Sequence, residues 1–277
     1  MRIALYQAQT GIDPAANAAE LVRRVDEAAA GGAAMLFTPE MSGLLDRDRE
    51  RSAAHLRVEA DDPVLAAVRE AARGAGIWVH LGSLALLSEA SDKLVNRGFV
   101  IDAEGEIRAR YDKIHLFDVD LPTGESWRES AAYRGGDHAA LVETPLGTLG
   151  LSICYDLRFA DLYTALSNYG ATLFSIPAAF TVPTGEAHWH VLLRARAIEA
   201  AAFVVAAAQV GRHEDGRTTY GHSLAVDPWG RVLLDMGGEE PGLGFADLDL
   251  GLVEEVRQRL PAIWHRRPIP APERLRQ

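Results

Sequence analysis

The 277-residue chain holds a single cysteine, Cys154, standing where an apolar run turns polar. The segment reads Leu149-Gly150-Leu151-Ser152-Ile153-Cys154-Tyr155-Asp156-Leu157-Arg158-Phe159. A buried strand feeding a helix-forming stretch would place the thiol near a helix N-terminus. Unpaired backbone N–H groups there favour a thiolate and, later, an oxyanion. The competing reading is a small buried hydrophobe, the commonest fate of a free cysteine. A lone cysteine forms no intrachain disulfide, which fits a reducing cytoplasm.

A thiol nucleophile needs a base. His188 and His190 flank Trp189 in a predicted helix, where residues two apart face different sides and make a poor shared metal site. No Cys/His spacing suggests zinc, and no cofactor motif stands out. His213 and His222 read as structural histidines or residues at a site edge. Carboxylates offer another route. Glu40 follows the apolar run Ala34-Met35-Leu36-Phe37, where a buried strand emerges. A carboxylate held there would have a raised pKa and could shuttle protons near neutrality; otherwise it is a solvated loop-edge residue.

Lys93 and Lys113 are the only lysines among 28 basic side chains. A position that keeps lysine in an arginine-rich chain can signal a need for a compact ammonium. Lys113 follows Arg110-Tyr111-Asp112 at the end of a predicted strand. Held by apolar neighbours, it could face a developing oxyanion; the bland reading is a surface lysine. Arg158, one helical turn past Cys154, could face the same mouth and clamp a carboxylate. It could equally pair with Asp161 or Glu199.

Together these segments resemble the nitrilase superfamily of carbon–nitrogen hydrolases. Phe37-Thr38-Pro39-Glu40, Tyr111-Asp112-Lys113-Ile114-His115-Leu116-Phe117 and Ile153-Cys154-Tyr155-Asp156-Leu157-Arg158-Phe159 look like its three signature segments, in its order. Trp127-Arg128-Glu129-Ser130 is similar to the segment carrying its second glutamate, and the likeness continues through residues 185–199 and 220–230. The resemblance implies an amidase in which Glu40, Lys113 and Cys154 form a triad. Glu129 would orient Lys113 and the Tyr155 backbone N–H would help hold the oxyanion, with Arg158 and Phe180 contacting substrate. The run 206–214 resembles the deaminated-glutathione amidase branch, so an α-keto acid monoamide, an anionic small molecule, is the implied substrate. Omega-amidase, N-carbamoyl amino acid hydrolase and nitrilase activities remain alternatives within the superfamily. An inactive binding protein of the same fold is the alternative outside catalysis.

The elements that must position these residues alternate short apolar runs with amphipathic stretches. Strands are predicted at 2–9, 33–38, 77–84, 171–176, 203–208 and 243–248, and helices at 14–30, 63–73, 158–168, 186–201 and 250–258. Hairpins are predicted at 95–112, 139–153 and 222–235. Hairpins mixed with strand–helix units argue for a mixed sheet covered by helices. The resemblance sharpens this to an α/β fold, a four-layer α-β-β-α sandwich with two mixed sheets. One domain would span residues 1–260, and a Pro- and Arg-rich arm, 261–277, would pack at the interface of a homodimer or larger assembly.

Composition narrows the partners. With 48% hydrophobic residues the chain can bury a core of ordinary size. A formal net charge of −11 disfavours nucleic acid and anionic membrane surfaces. The longest apolar run, 200–208, is too short to span a bilayer, and the opening residues read as a strand without a secretory signal. No Walker loop and no Gly-x-Ser-x-Gly segment occurs, which disfavours ATP-dependent amidation and serine hydrolysis.

Overall fold

Along the first strand, β1 (Arg2–Gln7), side chains alternate between two buried environments. Ile3 and Leu5 join one apolar cluster, and Ala4 and Tyr6 join another. A strand buried on both faces must lie between layers. The computed structural model describes residues 1–120, 124 and 126–274. After β1 come α1 (Pro14–Ala30), β2 (Met35–Phe37), α2 (Arg49–Ala53), α3 (Pro63–Ala75), β3 (Trp78–Leu87), β4 (Leu94–Ile101) and β5 (Ile107–Asp112). The middle of the chain holds β6 (Asp118–Asp120), β7 (Ser126–Arg128), β8 (Leu141–Thr144), β9 (Gly147–Leu151), α4 (Ala160–Asn168) and β10 (Leu173–Ser175). The last third holds α5 (Val182–Ala200), β11 (Phe203–Ala206), β12 (Val210–Arg212), β13 (Thr218–Tyr220), β14 (Leu224–Val226), β15 (Val232–Asp235), β16 (Gly242–Asp247) and α6 (Gly251–Arg259).

Two six-stranded sheets form, in the orders β16-β1-β2-β3-β4-β5 and β15-β14-β11-β10-β9-β8. Both are mixed. β1, β2 and β3 run parallel, with β16, β4 and β5 added antiparallel. β9, β10 and β11 run parallel, flanked by antiparallel β8 and β14. Ile3, Leu5, Met35 and Phe37 of the first sheet share one core with Leu149, Leu151, Phe174 and Val204 of the second. Trp189, Leu193 and Tyr163 of α4 and α5 cover the second sheet's outer side in that same core. Leu21, Val25, Val64 and Val68 of α1 and α3 cover the first sheet's other face. The result is the four-layer α-β-β-α sandwich.

Several elements depart from the sequence reading, each for a local reason. α1 is not among them: it keeps the predicted span 14–30, starting where Asp13 caps Ala15 N–H and Pro14 takes the first turn. α5 begins at Val182, four residues before the predicted start, because Pro183 sits in its first turn. The predicted helix at 158–168 starts two residues later, as α4 at Ala160, because Arg158 closes a 3-10 turn, Cys154–Arg158. The hairpins β6–β7 and β12–β13, with α2, escaped a periodicity reading because their strands are three residues long and polar. The arm after residue 260 forms a 3-10 turn, Ala262–His265, and Arg266 then bonds Thr164 O, Ser167 Oγ, Asn168 Oδ1 and Glu199 O at the ends of α4 and α5. Of that arm, residues 275–277 lie outside the described residues. No helix among the described residues is long and apolar enough to cross a membrane.

Candidate active site

Three chain segments meet at the ends of the two sheets. The first leaves β2 through Thr38-Pro39-Glu40. Thr38 Oγ1 accepts from Gly82 N–H (3.0 Å) and Ser42 Oγ donates to Pro39 O (2.7 Å), fixing the turn against β3. Gly82 makes this approach possible: a Cβ there would lie 2.1 Å from Thr38 O and 2.5 Å from Pro39 O. Gln209 Nε2 then donates to Glu40 O (2.9 Å), turning the side chain inward.

Lys113 directly follows β5. Its backbone N–H donates to Asn96 O (2.9 Å) and its carbonyl accepts from Gly136 N–H (2.9 Å), so the stem is held on both sides. Its ammonium donates to Glu40 Oε1 (2.9 Å) and to both Glu129 oxygens (3.1 and 2.9 Å). Glu129 follows β7 and accepts the Phe117 N–H at 2.6 Å. The β6–β7 hairpin that sequence periodicity missed is therefore what delivers Glu129.

Cys154 follows β9 with φ of +50°, a left-handed conformation that costs a non-glycine residue of order 1–3 kcal/mol. Its N–H donates to Pro177 O (2.9 Å), and Asp156 Oδ2 accepts Ile153 N–H (2.9 Å), so both sides of the strained residue are pinned. Among the described residues no acceptor takes the Tyr155 N–H, which leaves that donor available.

Asn96 is a site residue that the sequence reading passed over. Its Nδ2 donates to Glu40 Oε1 (2.9 Å) and reaches Glu129 Oε1 (3.4 Å). It sits inside β4 in the run Val95-Asn96-Arg97, where a buried polar residue in a strand was the available signal. Ala179 N–H adds a bond to Glu40 Oε2 (3.1 Å). Two carboxylates thus share one ammonium in a site almost closed to solvent, with neutral donors taking their remaining lone pairs. Such pairing and hydrogen bonding is what makes buried charge tolerable.

The electrostatics assign protons. Burial opposes the Lys113 charge, but the Glu129 and Glu40 carboxylates outweigh it and hold its pKa well above the ordinary lysine value. Burial and the Glu40 carboxylate push the Cys154 thiol well above its usual range, against a smaller opposing pull from Lys113. The expectation that the helix end would favour a resting thiolate is therefore corrected. The thiol follows a strand into a 3-10 turn, beside an anion, and rests protonated.

These groups open into a cavity of about 600 Å³ lined by Glu40, Lys113, Glu129, Cys154, Tyr155, Ala179, Phe180 and five arginines: Arg47, Arg49, Arg128, Arg158 and Arg217. Arg158 lies over the rings of Phe180 (5.3 Å) and Tyr155 (5.8 Å), and its Nη1 is 3.2 Å from His188 Nδ1. Asp161 and Glu199 do not pair with it; Glu199 bonds Arg196 (2.7 Å) instead. Phe180 is buried against Trp189, ring centroids 4.7 Å apart. His213 is enclosed between Thr10 O and Thr219 Oγ1, and burial lowers its pKa, as a structural histidine requires.

The chain matches the carbon-nitrogen hydrolase family over residues 2–258. It belongs to that family. Its curated relatives include a deaminated glutathione amidase of Yersinia enterocolitica, 40% identical over 96% of this chain and 92% of the relative. Among solved structures it is similar to the Caenorhabditis elegans NitFhit protein, with a TM-score of 0.88 and 38% identity over 96% of this chain and 65% of that one. A mutant of the amidase from Nesterenkonia sp., described as showing Michael addition of acrylamide at the active site cysteine, superposes with a TM-score of 0.78 and 28% identity over 95% and 99% of the two chains. The carbon-nitrogen hydrolase described here is a hydrolase of C–N bonds other than peptide bonds, acting on a small-molecule amide.

Proposed function

We propose that this carbon-nitrogen hydrolase releases ammonia from a linear, anionic amide through a Cys154 thioester, with an α-keto acid monoamide such as deaminated glutathione as the best match. The observation that carries the reading is the Lys113 ammonium gripped between Glu40 and Glu129 beside the only thiol. Glu40 accepts the thiol proton as Sγ attacks the amide carbon. The negative oxygen is met by the Lys113 ammonium and the Tyr155 N–H. Protonated Glu40 passes its proton to the leaving nitrogen, ammonia departs and the thioester remains. Water, deprotonated by Glu40, then attacks the thioester, giving the acid and restoring the thiol. Glu129 keeps Lys113 aimed at the oxyanion position.

The arginines at the mouth support an anionic substrate. Arg128 and Arg217 are paired with Asp120 and Asp215, whereas Arg47, Arg49 and Arg158 have no carboxylate within ion-pair range among the described residues. Arg158 stacked on Phe180 offers a carboxylate clamp with an apolar floor. Ammonia release is the test, across deaminated glutathione, α-ketoglutaramate, an N-carbamoyl amino acid and a simple nitrile. Turnover confined to the nitrile or the carbamoyl compound would replace the amidase reading, and Cys154→Ala with near-full activity would end the thioester route.

The same reading places the enzyme in the cytoplasm as a homodimer. Val191 and Ile198 are exposed on one face of α5, with Trp229 and Trp264 also exposed near it, a distribution of apolar surface that a second subunit would cover. The arm from residue 261 would cross that interface. Light scattering checks it: a Val191→Asp protein of unchanged mass would count against pairing through α5.

A further inference from the structure

The sequence offered no metal-ligand spacing, yet folding gathers one possible set away from the cavity. His190 comes from α5, His222 from the turn between β13 and β14, and Asp235 from the end of β15. His190 Nε2 lies 2.9 Å from Asp235 Oδ2, and His222 Nδ1 lies 2.8 Å from Asp235 Oδ1. One ligand atom from each residue lies within 4.8 Å of the others. None of the three lines the amidase cavity. Their side chains are 33%, 24% and 33% exposed, so an ion can reach them from solvent.

The surrounding contacts orient these groups. His222 has φ of +55°, and its N–H and carbonyl are both engaged, with Gly237 O at 2.7 Å and Trp189 Nε1 at 2.8 Å. The Tyr220 ring stacks on the His222 imidazole at 4.4 Å. Gly237 N–H donates to Asp235 Oδ1 (3.0 Å) and fixes the carboxylate. The strained, doubly held His222 backbone and the hydrogen bond on the Asp235 carboxylate fix two of the three groups, as in built ligand sites. Two imidazole nitrogens and a carboxylate suit borderline divalent ions, held at about 2.0–2.2 Å with an open position for water. Ligand atoms around such an ion sit at most about 4.4 Å apart, so side-chain shifts of well under about 1 Å would close the site.

We propose that His190, His222 and Asp235 bind a divalent transition ion of the zinc or nickel class and so clip α5 to the β14–β15 hairpin. Binding to the folded state alone raises thermal stability. The test uses chelator-treated Cys154→Ala protein, which lacks the competing thiol, titrated with zinc or nickel chloride by calorimetry and by thermal melting. One equivalent bound and a raised Tm are expected, with at least a tenfold loss of affinity on adding His190→Ala or Asp235→Asn. Absence of saturable binding, or binding unchanged by both added substitutions, overturns the site. Histidine-ring NMR of the Cys154→Ala protein reads the same question without altering the cluster: zinc must shift the His190 and His222 signals, and shifts confined to other histidines overturn it.

Discussion

Asp156 Oδ1 accepts two hydrogen bonds from His115, one from its backbone N–H at 2.9 Å and one from its ring Nδ1 at 2.7 Å. The other oxygen accepts the Tyr111 hydroxyl (2.8 Å) and the Ile153 N–H (2.9 Å). Tyr111 and His115 bracket Lys113, and Ile153 precedes Cys154. One fully buried carboxylate therefore ties the lysine strand end to the strained cysteine turn. In Asp156→Asn one oxygen becomes a donor and faces donors. Each donor left unsatisfied costs about 1–3 kcal/mol. The expected outcome is a lower Tm with kcat falling more than KM rises, measured by melting and ammonia release. An Asn variant with wild-type kcat would show that the tie does not set the geometry of Lys113 and Cys154.

Removing the anion beside the thiol should make the thiol more acidic. The Glu40 carboxylate raises the Cys154 pKa and the Lys113 ammonium lowers it, so Glu40→Gln leaves the lowering charge unopposed by that neighbour. The pH midpoint of iodoacetamide labelling in the folded protein is expected to fall in Glu40→Gln relative to wild type, while amidase turnover drops about 10²–10⁴-fold with loss of the base. A midpoint that rises or stays put would contradict this charge arrangement.

The residues that met at the site were legible in the sequence because each sits just past the end of a strand, Glu40 after β2, Lys113 after β5 and Cys154 after β9, within segments that resemble the family's signatures. Strand ends are where a buried scaffold can present polar side chains, so position and residue type agreed. The layer order became legible through the family resemblance, since both sheets are buried on two faces and periodicity alone does not separate them. Asn96 was not legible: it occupies mid-strand β4, and only pairing with β5 brings its amide between Glu40 and Glu129. His190, His222 and Asp235 were invisible for the same reason, being far apart in sequence and joined by tertiary packing.

Lys113→Met should separate stability from catalysis. It removes the cation between buried Glu40 and half-buried Glu129, and stripping one partner from a buried ion pair costs about 3–5 kcal/mol. Adding Glu129→Gln relieves part of that repulsion. The double variant is expected to melt above Lys113→Met yet stay inactive, since the oxyanion charge is still missing. Recovery of turnover in the double variant would argue against Lys113 as the oxyanion partner.

Acid stability should report on His80, buried between the sheets with its Nδ1 2.9 Å from Ser175 Oγ. Burial depresses its pKa to about 3 from an ordinary 6.5. The unfolded chain therefore gains a proton below about pH 6.5 that the folded protein refuses, so the unfolded state is favoured as acidity rises. Stability from this group is full above pH 6.5 and falls by up to about 1.4 kcal/mol per pH unit as pH drops toward 3. Urea midpoints measured at pH 7, 6, 5 and 4 should fall more steeply in wild type than in His80→Gln. The variant keeps a hydrogen-bonding side chain but cannot titrate in that window. Parallel curves for the two proteins would mean that the acid sensitivity lies with other groups, His213 first among them, since burial lowers its pKa too.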